Sequence, residues 1–319
     1  MQRNAPCLPG TEDCGRSIKI SERVRNCPRS YEGDFCLQQL QEQNRRQNMI
    51  TSVSNGQVKN IIQLMQKTKA RREQGLFVAE GRKMFQEAPR EWIEKVYLME
   101  SISCEEEILA AVEGLPSEVV SDRVFRQMCD TQTPQGILTV LRRPEYTIEQ
   151  VLEGEHPLLM VLEDLQDPGN VGTILRTGEG AGVQGIFLTR NTVDLFNPKV
   201  IRSTMGSIYR MPFFYVENVE ILAEILRARG ITMYAAHLKG KNTYDRENYL
   251  GGTAFLIGNE GNGLTEAAAA AADVLIRIPM EGKVESLNAA MASGILMYEA
   301  ARQRRNHMPG PKEVLSGKI

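Results

Sequence analysis

The chain has 319 residues, of which 42% are hydrophobic and 24% charged, and its formal net charge is −2. No apolar run approaches the roughly 18 residues of a membrane span, and the first thirty residues lack the apolar core of a signal peptide. These features exclude a membrane protein and favour a cytoplasmic one, and the near-zero charge confines any contact with nucleic acid to a local basic surface.

Residues 1–48 differ in composition from the rest, because four of the six cysteines lie at Cys7, Cys14, Cys27 and Cys36. Their spacing contains no Cys-x-x-Cys pair and the segment has no histidine, so reduced thiols are favoured over a zinc site or a disulfide framework. Apolar periodicity is absent apart from a helical stretch at 37–47. We predict a poorly ordered extension, for which an alternative start codon at Met49 is one explanation.

The segment 55–72 has apolar residues at helical spacing and is followed by Gly75, which predicts one amphipathic helix. The other face of this helix is strongly basic. We predict that this face contacts nucleic acid, with a solvated helix face as the alternative interpretation. The residues of this predicted basic surface are Lys59, Lys67, Lys69, Arg71 and Arg72.

Short strands and helices alternate along the remainder of the first half and predict a small α/β domain over residues 49–142. A polar segment without apolar pattern follows, and we place a linker at 143–156. The predicted strands lie at 76–80, 96–99, 118–120 and 137–141, with helices around 82–87, 104–112 and 122–129.

Residues 157–319 alternate strand and helix in the manner of a mainly parallel sheet covered on both faces, which places the chain in the α/β class. The dinucleotide fingerprint G-x-G-x-x-G is not found after the first of these strands, so a nicotinamide dehydrogenase is disfavoured. Strands are predicted at 158–162, 185–188, 231–235, 253–257 and 274–278, and helices begin near 171, 198, 219 and 265, with a long last helix at 287–305.

Three polar clusters follow predicted strands, where open α/β sheets bind their ligands. Each has an ordinary alternative, since asparagine and serine cap helices and glycines form turns. The clusters contain Asn170 with Arg176, then Gly258 with Glu260, and finally Ile278, Met280, Ser286, Leu287 and Asn288.

Together and in this order, the clusters resemble the SpoU (TrmH-like) family of RNA ribose 2′-O-methyltransferases, a branch of the SPOUT superfamily. The resemblance covers residues 157–305, including Asn197-Pro198-Lys199, Arg202 and Gly206. It extends to residues 50–142, which resemble an RNA substrate-binding domain, whereas residues 1–48 match nothing. Ala289 and Ala290 depart from the larger apolar or hydroxyl residues common in the family.

The resemblance implies a C-terminal trefoil knot that binds S-adenosylmethionine. The residues that it assigns to the cofactor are Gly258, Ile278, Met280 and Leu287. It makes Arg176 the catalytic residue, as a general base or, in better accord with a permanently protonated guanidinium, as an electrostatic stabiliser. Asn170, Glu260, Ser286 and Asn288 are expected to orient the ribose and Arg176, with Glu260 fixing Arg176. No metal is expected, because no second carboxylate or histidine lies at ligand spacing.

The expected partners are RNA, with ribosomal RNA favoured over transfer RNA, and a second copy of the chain. The last helix has apolar residues over more than one stripe, which predicts a homodimer unless the helix is wholly buried within the monomer. A non-catalytic RNA-binding ribosome-assembly factor is the alternative function. It is disfavoured because a protein without catalytic activity would not need all five of the predicted catalytic residues. These are Asn170, Arg176, Glu260, Ser286 and Asn288. A role of the methylation in drug resistance stays open.

Overall fold

Two sheets organise the computed structural model, which describes residues 49–307. The described residues from Ile50 onward form one compact unit. The predicted extension 1–48 lies outside the described residues. Among the helices that are described, none is both long enough and apolar enough to cross a lipid bilayer.

The first sheet has four strands in the order β1-β4-β2-β3, with β1, β2 and β3 parallel to one another and β4 antiparallel to its neighbours. Its side chains alternate, so that Phe77 and Ala79 face one side of the sheet and Val78 faces the other. The strands are β1 (Leu76–Glu80), β2 (Ile93–Met99), β3 (Ser117–Val120) and β4 (Ile137–Arg142). The helices are α1 (Gly56–Gln66), α2 (Thr68–Gln74), α3 (Arg82–Glu87), α4 (Glu106–Ala111) and α5 (Asp122–Met128).

The predicted single helix over 55–72 is wrong, because the chain breaks into α1 and α2 at Lys67, where φ is −118° and ψ is 114°. Asn55 caps α1 by accepting a hydrogen bond from the backbone N–H of Gln57 at 2.8 Å. At the break, Nη1 of Arg71 donates to the carbonyls of Leu64 and Met65 at 2.7 and 3.2 Å. The arginine thereby satisfies carbonyls that would otherwise be orphaned at the helix end.

The second sheet confirms the predicted parallel α/β architecture. Its seven strands have the order β7-β6-β5-β10-β8-β11-β9, and every neighbouring pair is parallel. The sequence did not reveal β7 and β9. The strands are β5 (Leu158–Leu162), β6 (Gly185–Thr189), β7 (Phe213–Val216), β8 (Thr232–Ala236), β9 (Asn242–Thr243), β10 (Thr253–Ile257) and β11 (Val274–Arg277).

Helices cover both faces of the parallel sheet. Met160 packs in a core with Ile174, whereas its neighbour Val161 packs in a second core with Leu222 on the opposite face. The helices are α6 (Ile148–Val151), α7 (Pro168–Ala181), α8 (Pro198–Thr204), α9 (Val219–Ala228), α10 (Glu266–Ala271) and α11 (Ala289–His307). Helix α6 lies within the segment predicted as a linker.

The two sheets are joined by a buried ion pair. Nε of Arg71 donates to Oδ2 of Asp194 at 2.8 Å, and the two side chains are 2% and 5% exposed. Beside this pair, the rings of Phe77 and Phe196 are 4.7 Å apart and the guanidinium of Arg143 lies 4.5 Å from the Phe196 ring centre. Arg71 is therefore a structural residue, which corrects its assignment to the RNA-binding surface.

Candidate active site

The polar clusters lie where three strands of the parallel sheet end. Strands β5 and β10 are adjacent and both run towards this edge, so the loops after Leu162 and Ile257 are neighbours. The loop after β11 leads into α11. This carboxyl edge is the usual ligand site of an open parallel sheet.

Three of the five predicted catalytic residues form one chain of hydrogen bonds. Oε1 of Glu260 accepts from Nδ2 of Asn170 at 3.0 Å, and Oδ1 of Asn170 accepts from Nδ2 of Asn288 at 2.8 Å. Glu260 also accepts from the backbone N–H groups of Gln166 and Asp167, each at 3.0 Å. The network connects residues that lie 90 and 118 positions apart in the sequence.

The hydrogen bonds also set the charge state of Glu260. Desolvation raises the pKa of its carboxyl, but the hydrogen bonds from Asn170, Gln166 and Asp167 outweigh it, so the pKa lies below its ordinary value of 4.5. Glu260 is therefore an ionised acceptor at neutral pH. Its oxygens are occupied by these donors, and the predicted contact between Glu260 and Arg176 is absent.

The glycine-rich loop after β10 is tightly folded. A Cβ atom at Gly258 would lie 2.4 Å from the carbonyl carbon of Gly263 and from the nitrogen of Leu264, so only glycine fits. Asn259 pairs with Gly263 through two backbone hydrogen bonds of 3.0 and 2.9 Å. Its side chain accepts from Gly261 N and Asn262 N, each at 3.0 Å.

Sequence reasoning missed two acidic residues that support this loop. Asp164 has a φ of 55°, and its carbonyl accepts from Nδ2 of Asn259 at 2.8 Å. Glu163 is buried and accepts from N and Oγ1 of Thr265 at 3.0 and 2.7 Å. The sequence feature that could have identified them is a pair of carboxylates directly after a wholly apolar strand. Charged side chains are unusual at such a position unless they are hydrogen-bonded.

The loop before α11 offers unpaired backbone groups. Between Ile278 and Leu287, no backbone N–H or C=O group makes a backbone hydrogen bond with another described residue. Ile278, Met280 and Leu287 are partly buried. Main-chain groups without a protein partner can bond to a ligand, so this loop suits a ligand that is recognised through the backbone.

Asn288 caps the last helix, since its Oδ1 accepts from the N–H groups of Ala290 and Met291 at 2.9 and 3.3 Å. The alternative in which Ser286 is that cap is wrong. Ser286 is exposed and forms no hydrogen bond with any residue in the range 49–307. Leu287, predicted as the first helical residue, precedes the helix.

Arg176 lies apart from the hydrogen-bonded network. Helix α7 begins at Pro168 and is capped by Asp167, whose Oδ1 accepts from Asn170 N at 2.7 Å, so the alternative reading of Asn170 as the helix cap is wrong. Arg176 is six residues further on, about 9 Å along the helix axis. It is exposed, and within the described part of the chain its guanidinium has neither a hydrogen bond nor an ion pair.

The remaining predicted basic residues are on the surface. Lys59, Lys67, Lys69 and Arg72 are exposed, and Lys69 pairs with Glu73 at 3.7 Å. Helix α1 packs on the face of the four-stranded sheet that contains Val78, opposite the face whose side chains join the core of the parallel sheet. No group of three or more metal-ligating side chains is found among residues 49–307.

The fold and the polar edge define an α/β protein whose polar loops lie together where its parallel strands end. Residues 157–298 match the SpoU rRNA Methylase family, and residues 55–139 match the MRM3-like substrate binding domain.

Two curated relatives align over most of their length. A tRNA/rRNA methyltransferase of Synechocystis sp. is 34% identical over 80% of this chain and 94% of its own. The 23S rRNA (guanosine(2553)-2′-O)-methyltransferase RlmP of Bacillus subtilis is 32% identical over 78% of this chain and 97% of its own.

A solved structure shows the same architecture. The AdoMet-bound rRNA methyltransferase of Sinorhizobium meliloti superposes with a TM-score of 0.72 at 33% identity, over 80% of this chain and 97% of that one. The chain belongs to the SpoU rRNA methylase family.

Proposed function

We propose that the chain transfers a methyl group from S-adenosylmethionine to a ribose 2′-hydroxyl of ribosomal RNA. The observation that carries the proposal is the Glu260–Asn170–Asn288 network at the carboxyl edge of the sheet. Helix α7 starts at this edge and contains Arg176, which has no hydrogen bond or ion pair within residues 49–307. The names of the relatives support the substrate, since RlmP acts on a guanosine of 23S rRNA.

The strand-end loops fit the proposed cofactor. When bound, S-adenosylmethionine supplies an electrophilic methyl group on its sulfonium. Gly258 keeps its loop folded back on Gly263 and Leu264, and the unpaired backbone groups of residues 278–287 would hold the nucleoside. Partly buried Ile278, Met280 and Leu287 would line its apolar faces.

Arg176 would act on the RNA. A guanidinium has five N–H donors and no acceptor, so Arg176 would donate hydrogen bonds to the ribose oxygen and the adjacent phosphate as the hydroxyl loses its proton to solvent. The cofactor held by the strand-end loops would supply the methyl group to the 2′-oxygen, with its sulfur as the leaving group. Because Glu260 is ionised and bound by three donors, its role is to hold Asn170 and the loop after β5 in place.

We propose that residues 49–142 bind the RNA and that residues 157–319 form the methyltransferase domain, acting in the cytoplasm where ribosomal RNA is the substrate. A trefoil knot is proposed for the latter. The family likeness supports it, since residues 157–298 match the SpoU rRNA Methylase family.

A homodimer is proposed on the evidence of α11. Met291 and Tyr298 are 62% and 48% exposed, and Ile295 between them is partly exposed, which gives a stripe at helical spacing. The alternative of a wholly buried helix is therefore wrong. A Cβ at Gly180 of α7 would lie 3.3 Å from the Tyr298 hydroxyl, so a partner on this stripe would bring Arg176 to the subunit boundary.

The test is methyl incorporation from tritiated S-adenosylmethionine into ribosomal RNA by the purified chain, followed by mapping of the modified nucleotide. We expect the label on a ribose 2′-oxygen. Label on a base, or no label with any ribosomal RNA, would contradict the proposal and favour the RNA-binding assembly factor. Light scattering of the same sample, with Met291→Glu as the disrupting variant, tests the dimer.

A further inference from the structure

The four-stranded sheet has a ligand edge of its own. Strands β1 and β2 are parallel and flank β4, which starts where they end. The loops that follow β1 and β2 therefore stand on either side of the segment that enters β4. Such a crevice between strand-end loops is a common place for a binding site in an α/β domain.

A cavity of about 510 Å³ occupies this crevice and opens to solvent. Its size is that of a nucleoside-scale ligand site. It combines two cations, two side-chain amides and apolar walls, a mixture that suits the phosphates, edges and faces of a nucleotide. The lining residues are Arg82, Lys83, Gln86, Met99, Ile102, Pro134, Gln135 and Gly136.

Two glycines hold the cavity walls in close contact. Gly81 has a φ of 108°, and a Cβ there would lie 2.9 Å from Oε1 of Gln135. Gly136 has a φ of 84°, and a Cβ there would lie 2.7 Å from Cδ1 of Ile102. Oε1 of Gln135 accepts from the backbone N–H of Arg82 at 2.9 Å, which leaves the amide NH₂ group of Gln135 free to donate.

A chain of charged side chains connects the cavity to the helix that contains Arg176. Lys83 pairs with Glu87 at 3.6 Å, and Glu87 pairs with Arg210 at 2.9 Å. Arg210 in turn pairs with Glu179, which is three residues after Arg176 on α7. The cavity and Arg176 therefore belong to one continuous surface, whereas α1 lies on the other face of the four-stranded sheet.

We infer that this cavity binds an unpaired nucleotide of the RNA substrate, an inference that rests on the proposed function. Met99, Ile102 and Pro134 contact the face of the base, and the amides of Gln86 and Gln135 contact its edge. Lys83 and Arg82 at the rim contact the flanking phosphates. An unpaired nucleotide is the occupant because only a splayed base exposes both its face and its edge to a protein cavity.

The experiment compares two variants for binding to fluorescent RNA. The first is Lys83→Gln combined with Gln86→Ala, which alters two exposed residues of the cavity. The control is Arg229→Gln, which removes one exposed positive charge beside α9, on the face of the parallel sheet that the second core covers. The probes are a twelve-nucleotide single-stranded RNA of mixed sequence and the same sequence in a perfect duplex.

We expect the double variant to bind the single strand about tenfold more weakly than wild type, since it loses one hydrogen bond to the base edge and one contact to a flanking phosphate. Its affinity for the duplex and its melting temperature should be unchanged, and Arg229→Gln should bind both probes like wild type. Equal single-strand affinity of the double variant and wild type would overturn the inference. So would an equal loss of affinity for single strand and duplex, which would indicate phosphate contacts alone.

A second measurement separates this inference from the proposed function. Binding of S-adenosylmethionine, followed by calorimetry, should be the same in the double variant and wild type. If wild type methylates no ribosomal RNA while the double variant still loses single-strand affinity, the proposed function fails and the cavity assignment stands. If wild type methylates and the double variant keeps its affinity and its KM for RNA, the assignment fails alone.

Discussion

Two kinds of polar side chain lie on the loops at the carboxyl edge of the parallel sheet and on helix α7, which starts there. Glu260, Asn170 and Asn288 are joined in one hydrogen-bonded chain, whereas Arg176 and Ser286 bond to no residue of the described chain. The first group already has the partners that hold it. The second has all its donors available to a ligand.

This difference separates the residues that shape the site from those that would act on the substrate. An interaction accelerates a reaction only if it is stronger in the transition state than in the ground state. An arginine already paired with Glu260 would lose that pair on meeting the ribose. An unpaired Arg176 has no such contact to give up, while the network keeps the neighbouring loops in place.

Replacement of Arg176 by alanine should have the largest effect on the reaction. We expect kcat to fall by about 10³-fold, the scale seen when a donor to a developing oxyanion is removed. Affinity for S-adenosylmethionine should stay within about threefold, because no cofactor contact is lost. Single-turnover methylation and calorimetry measure the two quantities, and an active Arg176→Ala enzyme would contradict the assignment.

Unlike Arg176→Ala, the Gly258→Val variant should lose affinity for S-adenosylmethionine. Its Cβ would lie 2.4 Å from the backbone at Gly263 and Leu264, so the loop must open. We expect cofactor affinity to fall at least about tenfold, equivalent to about 1.4 kcal/mol. The matched control is Gly251→Val, because a Cβ at Gly251 meets no atom within 4 Å. Unchanged calorimetric affinity in Gly258→Val would remove this loop from the cofactor site.

Glu260→Gln should give a smaller, mixed effect. The new amide NH₂ group would face N–H donors of Gln166, Asp167 or Asn170, so one hydrogen bond is lost and kcat/KM should fall by about 10- to 100-fold. Because the pKa of Glu260 is lowered in the folded state, its contribution to stability is present above the unfolded pKa and is lost as pH falls through the folded pKa. Urea unfolding at several pH values should therefore show the difference between the two proteins shrinking below about pH 4.5. A difference that is constant with pH would rule out the charged network as its cause.

Ser286→Ala should have the smallest effect on the fold. Ser286 is exposed and has no partner in the range 49–307, so the free energy of unfolding should change by less than about 0.5 kcal/mol. A rise in KM for RNA or cofactor at constant melting temperature would identify a ligand contact. A lowered melting temperature would instead indicate that Ser286, like Glu260, Asn170 and Asn288, stabilises the structure of the site.

The fold was predictable where local pattern decides it. Strand β5 is a run of five apolar residues, and β10 has four apolar residues after Thr253; the bounds of both strands were predicted correctly. Helix α1 was predicted too long, because its end depends on Arg71, whose guanidinium binds the carbonyls of Leu64 and Met65. Charge alone indicated that Arg71 is exposed, and only the fold places Asp194 beside it.

The sequence predicted which residues belong to the site but not which of them form hydrogen bonds with one another. The resemblance grouped Glu260, Asn170, Asn288 and Arg176, yet it joined Glu260 to the wrong partner. Hydrogen bonds across 90 and 118 residues depend on how neighbouring strands bring their loops together, and no local pattern encodes that. Asp164 escaped notice for the same reason, since it contacts Asn259 across two loops.

The buried pair of Arg71 and Asp194 has a consequence for hybrid proteins. A chimaera that takes its first sheet from one relative and its second from another would inherit one half of the pair without the other, unless both parents have it. An uncompensated buried charge costs about 3 to 5 kcal/mol, which is a large share of the stability of an ordinary domain. Exchange of the first sheet between relatives therefore requires that positions 71 and 194 be transplanted together.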